Sequence, residues 1–201
     1  SLPVFSNPEL STCKGNPCGV TRDDPDAGAD AVGALNITRF GVANYVGTRP
    51  TLAAANATGG STAATMWGGA VKSLVESEPV QFSNLFNPFE AINVVGTIGV
   101  DPAHVGMNGR THVVIDGGPV GFFQIDPTGN YVPWDGDIAT LAGTSESRPL
   151  LAREELVAVK GLRFIDLGIT DISINIYIAY SVDGTDNLVF SATPIPITIT
   201  P

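Results

Sequence analysis

The sequence predicts an all-β protein, an Ig-like or related antiparallel β-sandwich with an extended N-terminal arm. Three observations lead there. The 201 residues are 43% hydrophobic and only 15% charged, with 23 Gly and 15 Pro. That charged fraction lies well below the usual quarter or so, and the wealth of turn formers favours many short strands over helices. Second, in the run ISINIYIAYSV, Ile172, Ile174, Ile176, Ile178, Tyr180 and Val182 share one parity, which is a strand with one core-facing side. Third, GFFQIDPTGNYVPWDG at 121–136 reads as two extended aromatic pieces joined by a turn, a hairpin pattern. The expected organisation is an arm over 1–34 and a single sandwich domain over 35–201.

The arm comes first. Leu2, Val4 and Phe5 give its start an apolar means of docking. Cys13 and Cys18 are the only two cysteines, and Gly15 and Pro17 between them can fold the chain tightly enough for a local bridge. Half of a metal site is the rival reading, but no second Cys/His pair stands nearby. A disulfide implies an oxidising, extracellular setting, and the opening Ser1-Leu2-Pro3-Val4 fits a chain from which a leader has been removed. Asp23, Asp24, Asp26 and Asp30 crowd carboxylates around a Pro and a Gly. Such a loop suits calcium, although it lacks the distal Glu of an EF-hand, and a solvated acidic loop explains it equally well.

Alternation begins loosely near Leu35. The stretch 63–75 is ambiguous: its apolar spacing fits a helix face, yet Gly68 and Gly69 would each cost about 1 kcal/mol in a helix interior, so a strand or irregular segment is expected. Strands are then expected at 80–86, 91–100, 111–116, 120–125, 131–134, 156–159, 172–182 and 188–192. The chain ends in a Pro-Ile-rich strand. Pro194 and Pro196 have the same parity, so one flank of that last strand lacks two N–H donors and cannot be fully paired. It should lie at an edge or at a junction with one flank free.

From about residue 101 onward the chain resembles a C-terminal Ig-like sandwich domain of secreted and surface-exposed proteobacterial proteins of undefined function. The resemblance rests on Asp101-Pro-Ala-His104-Val-Gly106, Val113-Val-Ile115, Phe122-Phe-Gln-Ile-Asp126-Pro-Thr-Gly129, Trp134-Asp-Gly136, Leu141, Tyr177-Ile-Ala-Tyr180, Asp183-Gly184 and Leu188-Val189. It covers about half of the chain. It implies an extracellular sandwich and carries over no catalytic residues.

The net charge of −10, from 20 acidic and 10 basic residues, argues against nucleic acid or an anionic membrane surface as partner. No apolar run reaches transmembrane length, so membrane insertion is not expected. His104 and His112 are the only histidines and lie in no zinc-site spacing. Motifs for a serine elbow, a P-loop or a dinucleotide are absent, so the chain is not expected to be an enzyme. Two functions remain. The first is a structural subunit that polymerises with copies of itself through its N-terminal arm. The second is a calcium-assisted glycan-binding or adhesion module using Tyr131 and Trp134, although the favoured role for these hairpin aromatics is to plug one end of the sandwich.

Overall fold

A computed structural model describes residues 45–46, 50–72 and 80–201. The chain divides into two units, one of residues 1–48 and 74–80, the other of residues 49–73 and 81–201. Of the first, little beyond the two-residue strand β1 (Tyr45–Val46) is described. The arm, including Leu2, Val4, Phe5, Cys13, Cys18 and the four aspartates, lies outside the described residues.

The second unit is all-β. Its strands are β2 (Thr51–Leu52), β3 (Ala54–Asn56), β4 (Thr65–Lys72), β5 (Val80–Ser83), β6 (Leu85–Phe86), β7 (Ile92–Gly99), β8 (Asn108–Asp116), β9 (Phe122–Ile125), β10 (Tyr131–Trp134), β11 (Arg148–Pro149), β12 (Arg153–Leu162), β13 (Ile172–Val182), β14 (Leu188–Ser191) and β15 (Ile195–Ile199). They form a two-sheet sandwich. The first sheet runs β5-β4-β7-β12, with β2 on β4. The second runs β10-β9-β8-β13-β14-β3, with β15 also on β13. The strand expected at 80–86 breaks at Asn84: β5 belongs to the first sheet and β6 to the second, a corner at which the chain switches sheets.

The alternating run forms the centre of the second sheet. β13 pairs with β8 along 175–182 on one flank, and the other flank is shared by β15 at 172–176 and β14 at 179–181. Ile176, Ile178 and Tyr180 are fully buried. They meet Met66, Val94 and Ile98 of the first sheet in one core cluster. The ambiguous stretch at 63–75 is strand β4, and its glycines have a packing reason. Gly68 and Gly96 are cross-strand neighbours in β4 and β7. A Cβ at Gly68 would lie 2.5 Å from Ile195 Cδ1, and one at Gly96 would lie 3.0 Å from Ile178 Cδ1. The bare backbone of the first sheet is thus the recess that receives isoleucines of the second.

The final strand lies at a junction. β15 pairs antiparallel with β13 and, only at Thr198 and Ile199, parallel with β6. Thr198 and Thr200 donate their N–H groups to Asn84 and Phe86. Pro194 and Pro196 share that parity, so the donors they lack belong to the stretch of flank where β6 does not reach.

Candidate functional site

The 121–136 segment is the expected hairpin, with Tyr131 opposite Ile125 and Trp134 opposite Phe122. Its turn is organised by Asp126, whose carboxylate accepts from the Thr128 and Asn130 backbone N–H groups at 2.9 Å each and from the Thr128 hydroxyl at 2.7 Å. Gly129, at φ 85°, supplies the left-handed residue this turn needs. These hydrogen bonds hold the Asp126 carboxyl below the ordinary carboxylate range, the Thr128 hydroxyl foremost.

The hairpin's aromatics divide by face. Tyr131, on the Ile125 side, is 47% exposed and donates its hydroxyl to the Ala158 carbonyl of β12 at 3.0 Å, a tie from one sheet to the other. Trp134 is half-buried on the outward side. Its indole N–H donates to the Asp137 carbonyl at 2.9 Å, and its ring meets Phe122 edge-on at 6.2 Å between centroids. The two residues named from sequence as a glycan surface therefore stand on one strand but face opposite ways.

Both histidines have partners. His104 Nδ1 lies 2.9 Å from the hydroxyl of buried Tyr180, and that hydroxyl accepts the Asp101 N–H at 3.2 Å. The Asp101 carboxylate accepts from the backbone N–H of Ala63 at 2.7 Å and of Ala103 at 3.0 Å. These bonds, Ala63's foremost, lower its pKa. The cluster ties the chain ahead of β4 to the loop after β7. His112, on the outward face of β8, is 3% exposed, with Nδ1 2.8 Å from the Ala142 carbonyl and Nε2 2.8 Å from Ser181 Oγ. A carbonyl only accepts, so Nδ1 carries the proton. Burial, foremost, pushes the His112 pKa down, which keeps the ring neutral. Gln124 secures the same loop, accepting the Ala142 N–H at 2.6 Å. A cleft of about 570 Å³ opens beside this polar layer, lined by Arg110, His112, Leu141, Ser181, Asp183 and neighbours. Asp183, Asp186 and Asn187 form the β13–β14 turn, where Asn187 returns its carbonyl to the Val182 N–H at 3.1 Å. Among the described residues no three His, Cys, Asp or Glu side chains converge as a metal site.

Two groups of exposed apolar side chains stand at opposite ends of the β7–β12 pair. At the Gly99 end, Val105 and Met107 are each 42% exposed and Leu151 is 58% exposed, held together as Leu150 exchanges backbone hydrogen bonds with Gly106 and Met107 at 2.9 Å each. At the Ile92 end, Leu85, Phe89 and Leu167 are 56%, 67% and 59% exposed. There the Ile165 N–H donates to the Pro88 carbonyl at 3.0 Å and seats the turn that carries Leu167. Sequence reasoning missed both groups, because single apolar residues in turns carry no periodic signal.

No protein-family model matches the chain, and neither the curated proteins nor the solved structures provide a match.

Proposed function

We propose that the protein is a structural subunit of an extracellular filament or surface assembly, built from copies of itself joined head to tail, with the N-terminal arm of one subunit adding to the next. The observation that carries this reading is the pair of apolar groups at opposite ends of β7 and β12. Two different patches on opposite ends make a heterologous contact, and a heterologous contact that does not close gives an open polymer. The ends lie about 27 Å apart by the rise of an eight-residue strand.

Three partly exposed side chains per end offer a few hundred Å² at most, short of the roughly 1,200 Å² at which stable interfaces begin. The arm is the natural source of the remainder, since about 30 extended residues reach up to roughly 100 Å. Flanks of the second sheet are poor acceptors for an added strand, because Pro133 sits in the edge strand β10, Pro194 and Pro196 flank or enter β15, and the opposite edge strand β3 is only three residues long. Among the described strands, β12 pairs on one flank alone, with β7, and at ten residues it is the longest candidate.

The test uses two exposed positions. Leu151→Glu disables one end and Phe89→Glu the other, so each variant alone should sediment as a monomer, whereas a mixture should give a discrete heterodimer through the two intact ends. Wild-type-like assembly by either variant would remove the head-to-tail reading. A second reading, a calcium-assisted glycan-binding module, is favoured by the half-exposed Phe122–Trp134 pair. Calcium-dependent retention on immobilised glycans that is lost in Trp134→Ala would favour it over the first.

A further inference from the structure

Folding brings together two residues that no sequence motif links. Ser181 of β13 and His112 of β8 lie 69 positions apart, and their Oγ and Nε2 atoms are 2.8 Å from each other. The Nδ1–H to Ala142 hydrogen bond fixes the tautomer in which Nε2 is an acceptor, so the Ser181 hydroxyl donates to it. This is a nucleophile, a base and a third group orienting the base, the arrangement by which serine hydroxyls are activated. Both residues line the 570 Å³ cleft. Arg110 stands directly opposite Ser181 in the β8–β13 register and lines the same cleft, adding a positive charge on the same face. Asp183, which also lines it, is occupied by the Ser147 hydroxyl.

We propose that Ser181 is a nucleophile for acyl transfer from small carboxylic esters that fit this cleft, with His112 as its general base and Arg110 facing the oxyanion. The balance is that of ester hydrolysis. Ser181 Oγ bonds to the carbonyl carbon as its proton passes to His112 Nε2, and the carbonyl π pair moves to oxygen. Collapse breaks the ester bond, and the departing alkoxide takes the proton from the imidazolium. Water then repeats the sequence on the acyl-serine, releasing the acid and restoring Ser181. Burial, foremost, holds His112 neutral, which leaves the Nε2 lone pair available, and the Arg110 charge adds to that depression while Asp183 opposes it. The reading is independent of assembly, because the cleft lies on the outward face of the second sheet and includes none of the six apolar end residues.

The test is intact-mass and peptide mapping of the full chain after incubation with an alkyl fluorophosphonate, a reagent that phosphonylates activated serines. The expected result is a single adduct on Ser181, absent in Ser181→Ala. Labelling should slow about 100-fold in His112→Gln, the lower end of what a positioned base contributes, and should slow in the surface variant Arg110→Ala. If His112→Gln does not fold, the wild-type pH profile decides: labelling should rise with pH through the imidazole titration and then level. No adduct on Ser181, a rate indifferent to His112→Gln, or a flat pH profile overturns the proposal and leaves the pair a structural hydrogen bond.

Discussion

Substituting Gly68 by Ala tests how the two sheets meet. Gly68 does not have positive φ, so its backbone accepts Ala, and the entropic effect alone would stabilise the fold by about 0.4–1 kcal/mol. Sterics oppose this. The new Cβ would lie 2.5 Å from Ile195 Cδ1, 3.1 Å from Ile195 Cγ1 and 3.1 Å from the Val95 carbonyl oxygen. Ile195 is 2% exposed and has little room to turn away. Overpacking of this kind costs about 1–3 kcal/mol, so the net effect is a destabilisation of up to about 2.5 kcal/mol. Ile195→Val removes the offending Cδ1 and alone costs about 0.5–1.5 kcal/mol. If the clash is the cause, the double variant should be more stable than the sum of the two singles by about 1 kcal/mol or more, as expected for residues in contact. Denaturant melts of the four proteins provide the cycle. Gly60→Ala, whose Cβ would meet only Thr58 Oγ1 at 3.6 Å, is the control and should be neutral or slightly stabilising. Strict additivity between Gly68→Ala and Ile195→Val would refute the recess, and with it the account of why β4 carries glycines.

Ile176→Ala removes three carbons from a fully buried side chain between Ile115 and Ile195. It should cost about 2–5 kcal/mol in a thermal or denaturant melt, and Asn175→Ala, partly exposed on the opposite face, should cost far less. Glu154 is 2% exposed and receives the Arg148 guanidinium and, at 2.8 Å, the Leu151 N–H; Glu154→Ala strands that donor and should cost about 1–3 kcal/mol. Because the folded state depresses the His112 pKa, the unfolded chain binds the extra proton first. Stability from this group is full above the unfolded value of about 6.5 and falls as the pH drops through it, so melting temperatures of wild type and His112→Gln should converge toward acid. Removal of residues 1–10 should leave a folded subunit that does not assemble, as sedimentation would show.

The centre of the second sheet was legible because the apolar residues of β13 keep one parity throughout. Ile172–Val182 and Tyr131–Trp134 have the bounds the pattern gave, and the shared parity of Pro194 and Pro196 already implied the partly unpaired flank of β15. The first sheet was harder to read. In β4 the side of the strand that faces the core carries Gly68 because Ile195 occupies the space, so hydrophobic periodicity fails where the partner sheet supplies the bulk. β12 begins at Arg153, three residues before the expected start, because Glu154 is buried by pairing with Arg148, a contact no local pattern announces. The corner at Asn84 was invisible for a related reason, since the change of sheet rests on Ser83, whose Oγ both donates to the Leu85 carbonyl at 3.0 Å and accepts its N–H at 3.1 Å. The His112–Ser181 pair and the two apolar ends are products of topology, joining residues far apart in the chain.

Negative-stain electron microscopy of the purified full chain tests the central claim most directly. Head-to-tail assembly gives filaments or open strings of subunits in the wild type, and isolated particles in Leu151→Glu under the same conditions. Isolated wild-type particles at every concentration tried, or filaments unchanged by Leu151→Glu, would contradict it.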